Sequence, residues 1–433
     1  MRQVTCQTIL LLLLCCRLST ASAEKPSLDA LIAGSDLWTT KKAEFMTRSA
    51  QFGFRWTSNA QEAAASRLPG LTLFNIPVYE TVARFDGDSL KTIIVSIYNR
   101  GDAGDLPEEK FQALLKASVD GVSTFTKAKP ALRGKDASNA VHAEGVVWQN
   151  ATTRFLLEYS FTREIKSRNI PYRAEFLRLE ISPIEKPKSL LVESLAATHA
   201  THFEGVTHVK KESSGDVRLD GIPMVDQGQK GYCVVASSER VMRYYGSKVD
   251  EHELAEMANS SATGGTSNEA MFEALKKLSN RLRVKIRTLE NSEVGDILKL
   301  VADYNRAARL NHAAALPPVG HTIDVMELYK QMKPDILREA RTKNPSAMLR
   351  FQREIQSHID QGLPLLWSVI LGIVPEEKAP QGIGGHMRLI IGYNAKSAEV
   401  LYSDSWGLGH ELKRMTLADA WTITTQLNTI EPL

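Results

Sequence analysis

Gln227-Gly228-Gln229-Lys230-Gly231-Tyr232-Cys233 leads into Val234-Val235-Ala236, with Val241 and Met242 behind, an apolar spacing that reads as a buried helix. The pattern runs to about Tyr245 and stops at Gly246, as a C-cap glycine does. A cysteine in the first turn of a helix faces unpaired backbone N–H groups and the positive end of the macrodipole. Both favour the thiolate. The apolar residues bury the rest of the helix and leave its first turn to solvent.

Residues 1–23 make that thiol unusual. Arg2, the apolar stretch Ile9 to Cys16 and the small residues Ala21-Ser22-Ala23 read as a secretory signal, too short to span a bilayer. Cleavage after Ala23 removes Cys6, Cys15 and Cys16 and leaves Cys233 as the last of four cysteines. The expected location is secreted or periplasmic, where cysteines are mostly paired. No disulfide is then available to staple the fold. A lone cysteine is often a small buried hydrophobe; the residues flanking Cys233 point to chemistry instead.

The chain has 433 residues, a length for two to three domains, with 43% apolar and 24% charged residues. The net charge of +3 falls to about +1 without Arg2 and Arg17, and no cluster of Lys and Arg stands out. Neither nucleic acid nor an anionic membrane is expected as a partner. No other apolar run approaches spanning length, so no membrane association is expected after signal removal. No metal or cofactor is expected. Oligomeric state is not legible.

Four parts follow: a signal at 1–23, an α+β domain at 24–185, a connection at 186–215, and a second domain at 216–433. In the first domain, 24–65 is helix-compatible, and Leu71–Tyr79 and Thr92–Tyr98 read as strands. A helix is expected over Leu106–Phe125, with Pro107 early in it. Strands follow near Val146–Trp148, Arg154–Phe161 and Ala174–Ile181, the last placing Phe176, Arg178 and Glu180 on one face. No catalytic constellation is visible there. In the second domain, Asp250 with Glu253 and Thr266 with Glu269 read as helix-capping pairs. A half-exposed strand is expected at 282–287, helices over 292–361, and three closing strands at Leu365–Leu371, Met387–Tyr393 and Val400–Ser403.

Three further residues complete a chemistry. His386 follows Gly382-Ile383-Gly384-Gly385 at the head of a hydrophobic strand and suits a general base or an ion pair with a thiolate. His410 is its competitor, expected in a surface turn. Asp404 lies 18 residues beyond His386, where a hairpin would bring the two together and an acceptor would fix the imidazole tautomer. Gln227, with the Cys233 backbone N–H, would bind an oxyanion; Gln229 is the alternative donor.

The sequence Gln-Gly-x-x-Gly-x-Cys, a histidine before a strand, and Asp404-Ser405-Trp406-Gly407 together resemble the papain superfamily of cysteine peptidases. Gly385-His386-Met387-Arg388-Leu389-Ile390-Ile391-Gly392-Tyr393-Asn394 is most similar to its bacteriocin-processing-peptidase-like branch. The resemblance covers about 216–433 and implies an α+β fold: a papain-like C-terminal domain, helical lobe plus antiparallel sheet, preceded by a separate α+β domain. It implies Cys233 as nucleophile, His386 as base, Asp404 in the place of papain's asparagine and Gln227 as oxyanion donor. Trp406 would shield the His–Asp contact and border the substrate, and Thr263-Gly264-Gly265 resembles the segment that pairs with a bound peptide. Lys230 stands at a disulfide cysteine of papain, Val234 replaces an aromatic residue, and 292–361 is an insertion.

The expectation is a secreted cysteine peptidase acting on a peptide or protein through a thioester. An acyl-transfer or amide-hydrolysing enzyme with the same triad, and a non-catalytic peptide-binding protein, are the alternatives. The N-terminal domain reads as an accessory module or a pro-domain. Asn150-Ala151-Thr152 and Asn259-Ser260-Ser261 are glycosylation sequons.

Overall fold

A computed structural model describes residues 26–433 apart from 134–140, 165–170, 185–202, 229–230, 248, 263–264, 319–323, 378 and 381. The expected signal at 1–23 lies outside the described residues, as do Gln229, Lys230, Thr263 and Gly264.

The N-terminal half starts with two short helices, α1 (Asp29–Ile32) and α2 (Lys42–Arg48). Its strands are β1 (Arg55–Trp56), β2 (Ala63–Ser66), β3 (Thr72–Leu73), β4 (Ile76–Pro77), β5 (Glu80–Asp86), β6 (Ser89–Asn99), β7 (Ala131–Leu132), β8 (Glu144–Gln149), β9 (Thr153–Thr162) and β10 (Arg173–Pro183). Helices α3 (Arg100–Ala103) and α4 (Glu108–Thr126) follow β6. All but β3 and β4 form one antiparallel sheet ordered β1-β2-β5-β6-β10-β9-β8-β7. One face packs on α1, α2 and α4 through Ile93, Val95, Ile97, Leu177, Leu179 and Ile181.

Three expectations change here: the stretch 24–65, read as helix-compatible, also holds β1 and most of β2, which pair with each other. Leu71–Tyr79 is not one strand: β3 and β4 fold back through Phe74 and Asn75, both left-handed (φ 52° and 63°), as a two-residue hairpin turn requires. Pro107 is the N-cap of α4 rather than a residue of its first turn.

The C-terminal half begins with β11 (Val209–Lys211) and β12 (Asp216–Leu219), so part of the expected connection at 186–215 is paired strand. Helices α5 (Cys233–Tyr244), α6 (Glu251–Met257), α7 (Asn268–Lys277) and α8 (Ser279–Leu282) precede β13 (Val284–Asn291). The insertion folds as α9 (Val294–Leu310), α10 (Val325–Gln331), α11 (Pro334–Thr342) and α12 (Pro345–Asp360). After these come β14 (Leu365–Leu371), β15 (Gly384–Asn394), β16 (Glu399–Ser403), β17 (Lys413–Thr416), α13 (Leu417–Ile423) and β18 (Thr424–Pro432).

The antiparallel order is β11-β12-β15-β14-β18-β13, with β16 on β15 and β17 on β16. Residue Leu366 of β14 faces α5 to α8 together with Met387, Leu389 and Ile391 of β15. Leu365, Trp367 and Val369 face the other way, onto the insertion. Burial on both faces explains why the sequence of β14 is a continuous apolar run. The insertion therefore backs the sheet on the face opposite α5. The chain does not close on three strands; β17, α13 and β18 follow, and β18 takes a central place between β14 and β13. Asp250 caps α6 as expected, whereas the cap of α7 is Ser267 rather than Thr266, its hydroxyl accepting from the Ala270 N–H.

Candidate active site

Cys233 is the first residue of α5, a free thiol at a half-buried position. The helix behind it is buried from Val234 to Met242, including Glu239 and Arg240. Gly231 and Gly265 meet backbone to backbone just before the thiol: a Cβ on Gly231 would stand 2.7 Å from the Gly265 Cα. Gly265 is left-handed (φ 64°) and forms an isolated bridge with Ser261. These two glycines let the α6–α7 connection lie against the segment that carries the nucleophile candidate.

His386 is the third residue of β15, paired across from Val369 of β14. The β15–β16 hairpin pairs Leu389 with Ser403, which brings Asp404 beside His386. The imidazole Nε2 lies 3.1 Å from Asp404 Oδ1, and neither side chain is exposed. Nδ1 has no hydrogen-bond partner among the described residues. That nitrogen is left for the Cys233 thiol, which interacts directly with the ring. Trp406 stacks on the imidazole at 4.3 Å and 11°, excluding water from the His–Asp contact. His410 is edge-on to Trp406, and its carbonyl accepts from the Asp404 N–H. It belongs to the turn and supports Asp404 by backbone.

Charge follows geometry. Burial pushes the Cys233 thiol up, but His386 and backbone N–H groups outweigh it and hold the thiol below its ordinary value. Burial pulls the His386 imidazole down, and Asp404 and Cys233 together raise it above its ordinary value. Burial likewise opposes ionisation of Asp404, yet Arg388, His386 and Lys413 keep it well below the usual carboxylate range. Arg388 Nε is 2.9 Å from Oδ1 and Lys413 Nζ 3.2 Å from Oδ2. The arrangement favours a thiolate–imidazolium pair.

Gln227 is buried and is bonded twice to Ser405. Its N–H donates to the Ser405 carbonyl at 2.8 Å, and its Oε1 accepts from the Ser405 hydroxyl at 2.6 Å. With the amide oxygen held, the NH₂ end is the donor end, as an oxyanion site needs. Of the expected site residues, the structure thus brings Cys233, His386, Asp404 and Trp406 together, ties Gln227 to the turn of Asp404 and Trp406 through Ser405, and puts Gly265 beside the segment before the thiol. Gly264 lies outside the described residues.

Sequence reasoning missed four supports. Ser405 orients Gln227; Arg388 and Lys413 neutralise Asp404. Arg240, buried on α5, donates to the carbonyls of Pro223 (2.9 Å) and Asp404 (3.0 Å) and to Ser403 Oγ (2.6 Å). Burial pulls the Arg240 guanidinium down to about 10, and the charges of Asp404 and Glu411 offset that only in part. A signal existed: arginine on the buried stripe of an apolar helix needs partners inside the protein. Among the described residues, no group of three or more His, Cys, Asp and Glu is placed to hold a metal ion.

Residues 219–429 match the model of the Peptidase_C39 like family. The match falls on the half that holds Cys233, His386 and Asp404, and it supports a cysteine peptidase. A search of curated proteins finds no match. Among solved structures, xylellain, a cysteine protease from Xylella fastidiosa, aligns at 13% identity over 54% of this chain and 90% of its own, with a TM-score of 0.26.

Proposed function

We propose that this peptidase hydrolyses peptide bonds through a Cys233–His386–Asp404 triad and a thioester, outside the cytoplasm. The observation that carries the triad is the division of the imidazole: Nε2 on Asp404 at 3.1 Å, Nδ1 left to the thiol. The thiolate attacks the scissile carbonyl carbon, and the oxyanion is met by the Cys233 N–H and the Gln227 amide. Such a donor is worth about 10²–10³ in turnover. The imidazolium gives its proton to the leaving amine as the C–N bond breaks, leaving the thioester. Water then attacks the thioester carbonyl while His386 takes its proton, releasing the carboxylate and the thiol. Asp404 keeps the ring oriented throughout.

The extracytoplasmic location rests on the signal-like segment at 1–23. Export with removal of that segment in a host that secretes the protein supports it; retention of the full chain in the cytoplasm counts against it. For the chemistry, Cys233→Ala should abolish peptide cleavage in a chain that still folds. Product masses with added amine then distinguish water from amine as acceptor: free carboxylate products support hydrolysis, and predominant amides would replace it with acyl transfer.

A further inference from the structure

The N-terminal sheet has two buried faces, and only one meets its own helices. On the other, Arg178 of β10 ion-pairs with Asp250, the N-cap of α6, and lies 3.4 Å from Glu253 within that helix. Arg84 of β5 pairs with Glu239 of α5 at 3.2 Å, and Arg100 donates to Asn259 Oδ1 at 2.9 Å. Arg178, Glu239 and Glu253 are buried in this contact. Separating the halves would break these pairs and return their charges towards water, leaving Arg178 with Glu158, Arg100 with Glu175 and Glu239 with Arg243 inside their own halves.

Two of the contacts reach the segment before the nucleophile. Asn99, the last residue of β6, accepts from the Gly101 N–H (2.9 Å) and from the Tyr232 hydroxyl (2.8 Å) through one oxygen, Oδ1. Tyr232 is fully buried and directly precedes Cys233. Its phenol fills a socket that only glycine permits: a Cβ on Gly101 would stand 1.3 Å from the hydroxyl oxygen. Arg67 grips the other end. It ion-pairs with Glu80 of its own domain, donates to the Asp226 carbonyl at 2.6 Å, and lies 3.1 Å from Asp226 Oδ2. A Cβ on Gly228 would come within 2.9 Å of its Nε. The N-terminal domain therefore touches residues on both sides of Gln227 and the residue next to Cys233.

We propose that the N-terminal domain is a permanent part of the catalytic unit, with Asn99 and Arg67 as positioning residues for the segment that bears Gln227 and Cys233. The proposal rests on the reading of Cys233 as nucleophile. A helix start displaced by a fraction of an ångström turns its N–H groups away from the thiolate and misaims the oxyanion donors. Activity then resides in the undivided chain, and loss of the domain lowers turnover rather than releasing it.

The test uses the full chain with Tyr232→Phe, Asn99→Leu, the pair combined, and Arg67→Met. Tyr232→Phe removes a single oxygen and is the variant safest for folding. Peptide turnover, alkylation of Cys233 by iodoacetamide across pH, and the mass of the active species are read together. The expected result is a fall in kcat of about tenfold with KM little changed, the pattern of a group acting in the transition state. The thiolate limb of alkylation should move to higher pH, the double variant should be no worse than either single, and the active species should be uncut between the domains. Unchanged kcat and alkylation in Tyr232→Phe and Asn99→Leu would overturn the proposal, as would activity that appears only when a fragment of about half the chain is released. Activity retained by Cys233→Ala would instead bring down the reading of the site itself.

Discussion

One carboxylate, Asp404, faces His386, Arg388 and Lys413, its own side chain shut off from water. Its negative charge is what lets a buried imidazole stay protonated beside a thiolate. The two shifts set a pH window. Thiolate appears as pH rises through a thiol pKa held below the usual ~8.5, and imidazolium disappears as pH rises through a histidine pKa held above the usual ~6.5. The profile of kcat/KM should therefore be a bell with its acid limb below the first of those ordinary values and its alkaline limb above the second. Limbs at the ordinary values would contradict the ion pair. Asp404→Asn keeps an acceptor for the ring but leaves Arg388 and Lys413 without their anion. The alkaline limb should move down, and urea unfolding should show a loss of about 3–5 kcal/mol, as for other broken buried pairs. Asp404→Ala also removes the acceptor, so kcat should fall by roughly tenfold more, the worth of a hydrogen bond to a charged group.

The helix α5 works as an element because it is held at its start and along its length. Arg240 ties its middle to the Asp404 turn, and the Gly231–Gly265 contact fixes the approach to its first residue. Gly231→Ala would force a methyl against backbone, which cannot yield as a flexible side chain can. A destabilisation of about 1–3 kcal/mol is expected in thermal or urea unfolding, with slower alkylation of Cys233. A fully stable, fully reactive variant would show that the approach has slack. Strand β10 makes a related point. Its alternation, Phe176, Arg178 and Glu180 against Leu177, Leu179 and Ile181, was legible, but Phe176 and Arg178 of the polar face do not meet solvent. They meet the peptidase half, and Arg178 is charged for Asp250 and Glu253.

Across the whole molecule, the contact between halves includes an acid out of its ordinary range. Glu256 of α6 is pushed up to about 8, first by burial and then by Glu175 and Glu253, against the Ser160 hydrogen bond. An acid whose pKa rises on folding binds more protons folded than unfolded. Its contribution to stability declines as pH climbs from the unfolded value of ~4.3 to about 8. Glu256→Gln should remove that decline, gaining on the natural chain progressively as pH rises towards 8 and nothing near pH 4. Parallel pH dependences of urea unfolding in the two chains would refute it. The same contact implies that both halves unfold in a single calorimetric transition; two separated transitions would show weak coupling.

Much of the site was written in linear order. A glycine-spaced approach to a thiol at a helix start, a histidine opening an apolar strand, and an aspartate one hairpin later are local patterns. Helix periodicity and hairpin pairing translate such patterns directly into neighbours. The insertion was legible as helices for the same reason. What only the tertiary structure decided was everything set by contacts across large sequence separations. Ser405 locking Gln227, Arg388 and Lys413 on Asp404, β18 in the middle of the sheet, and Tyr232 seated between Asn99 and Gly101 join residues far apart along the chain or faces whose partner no periodicity names. Hydrophobic spacing says that a face is buried; it does not say against what, and a buried charge finds its counter-ion only when the chain has closed.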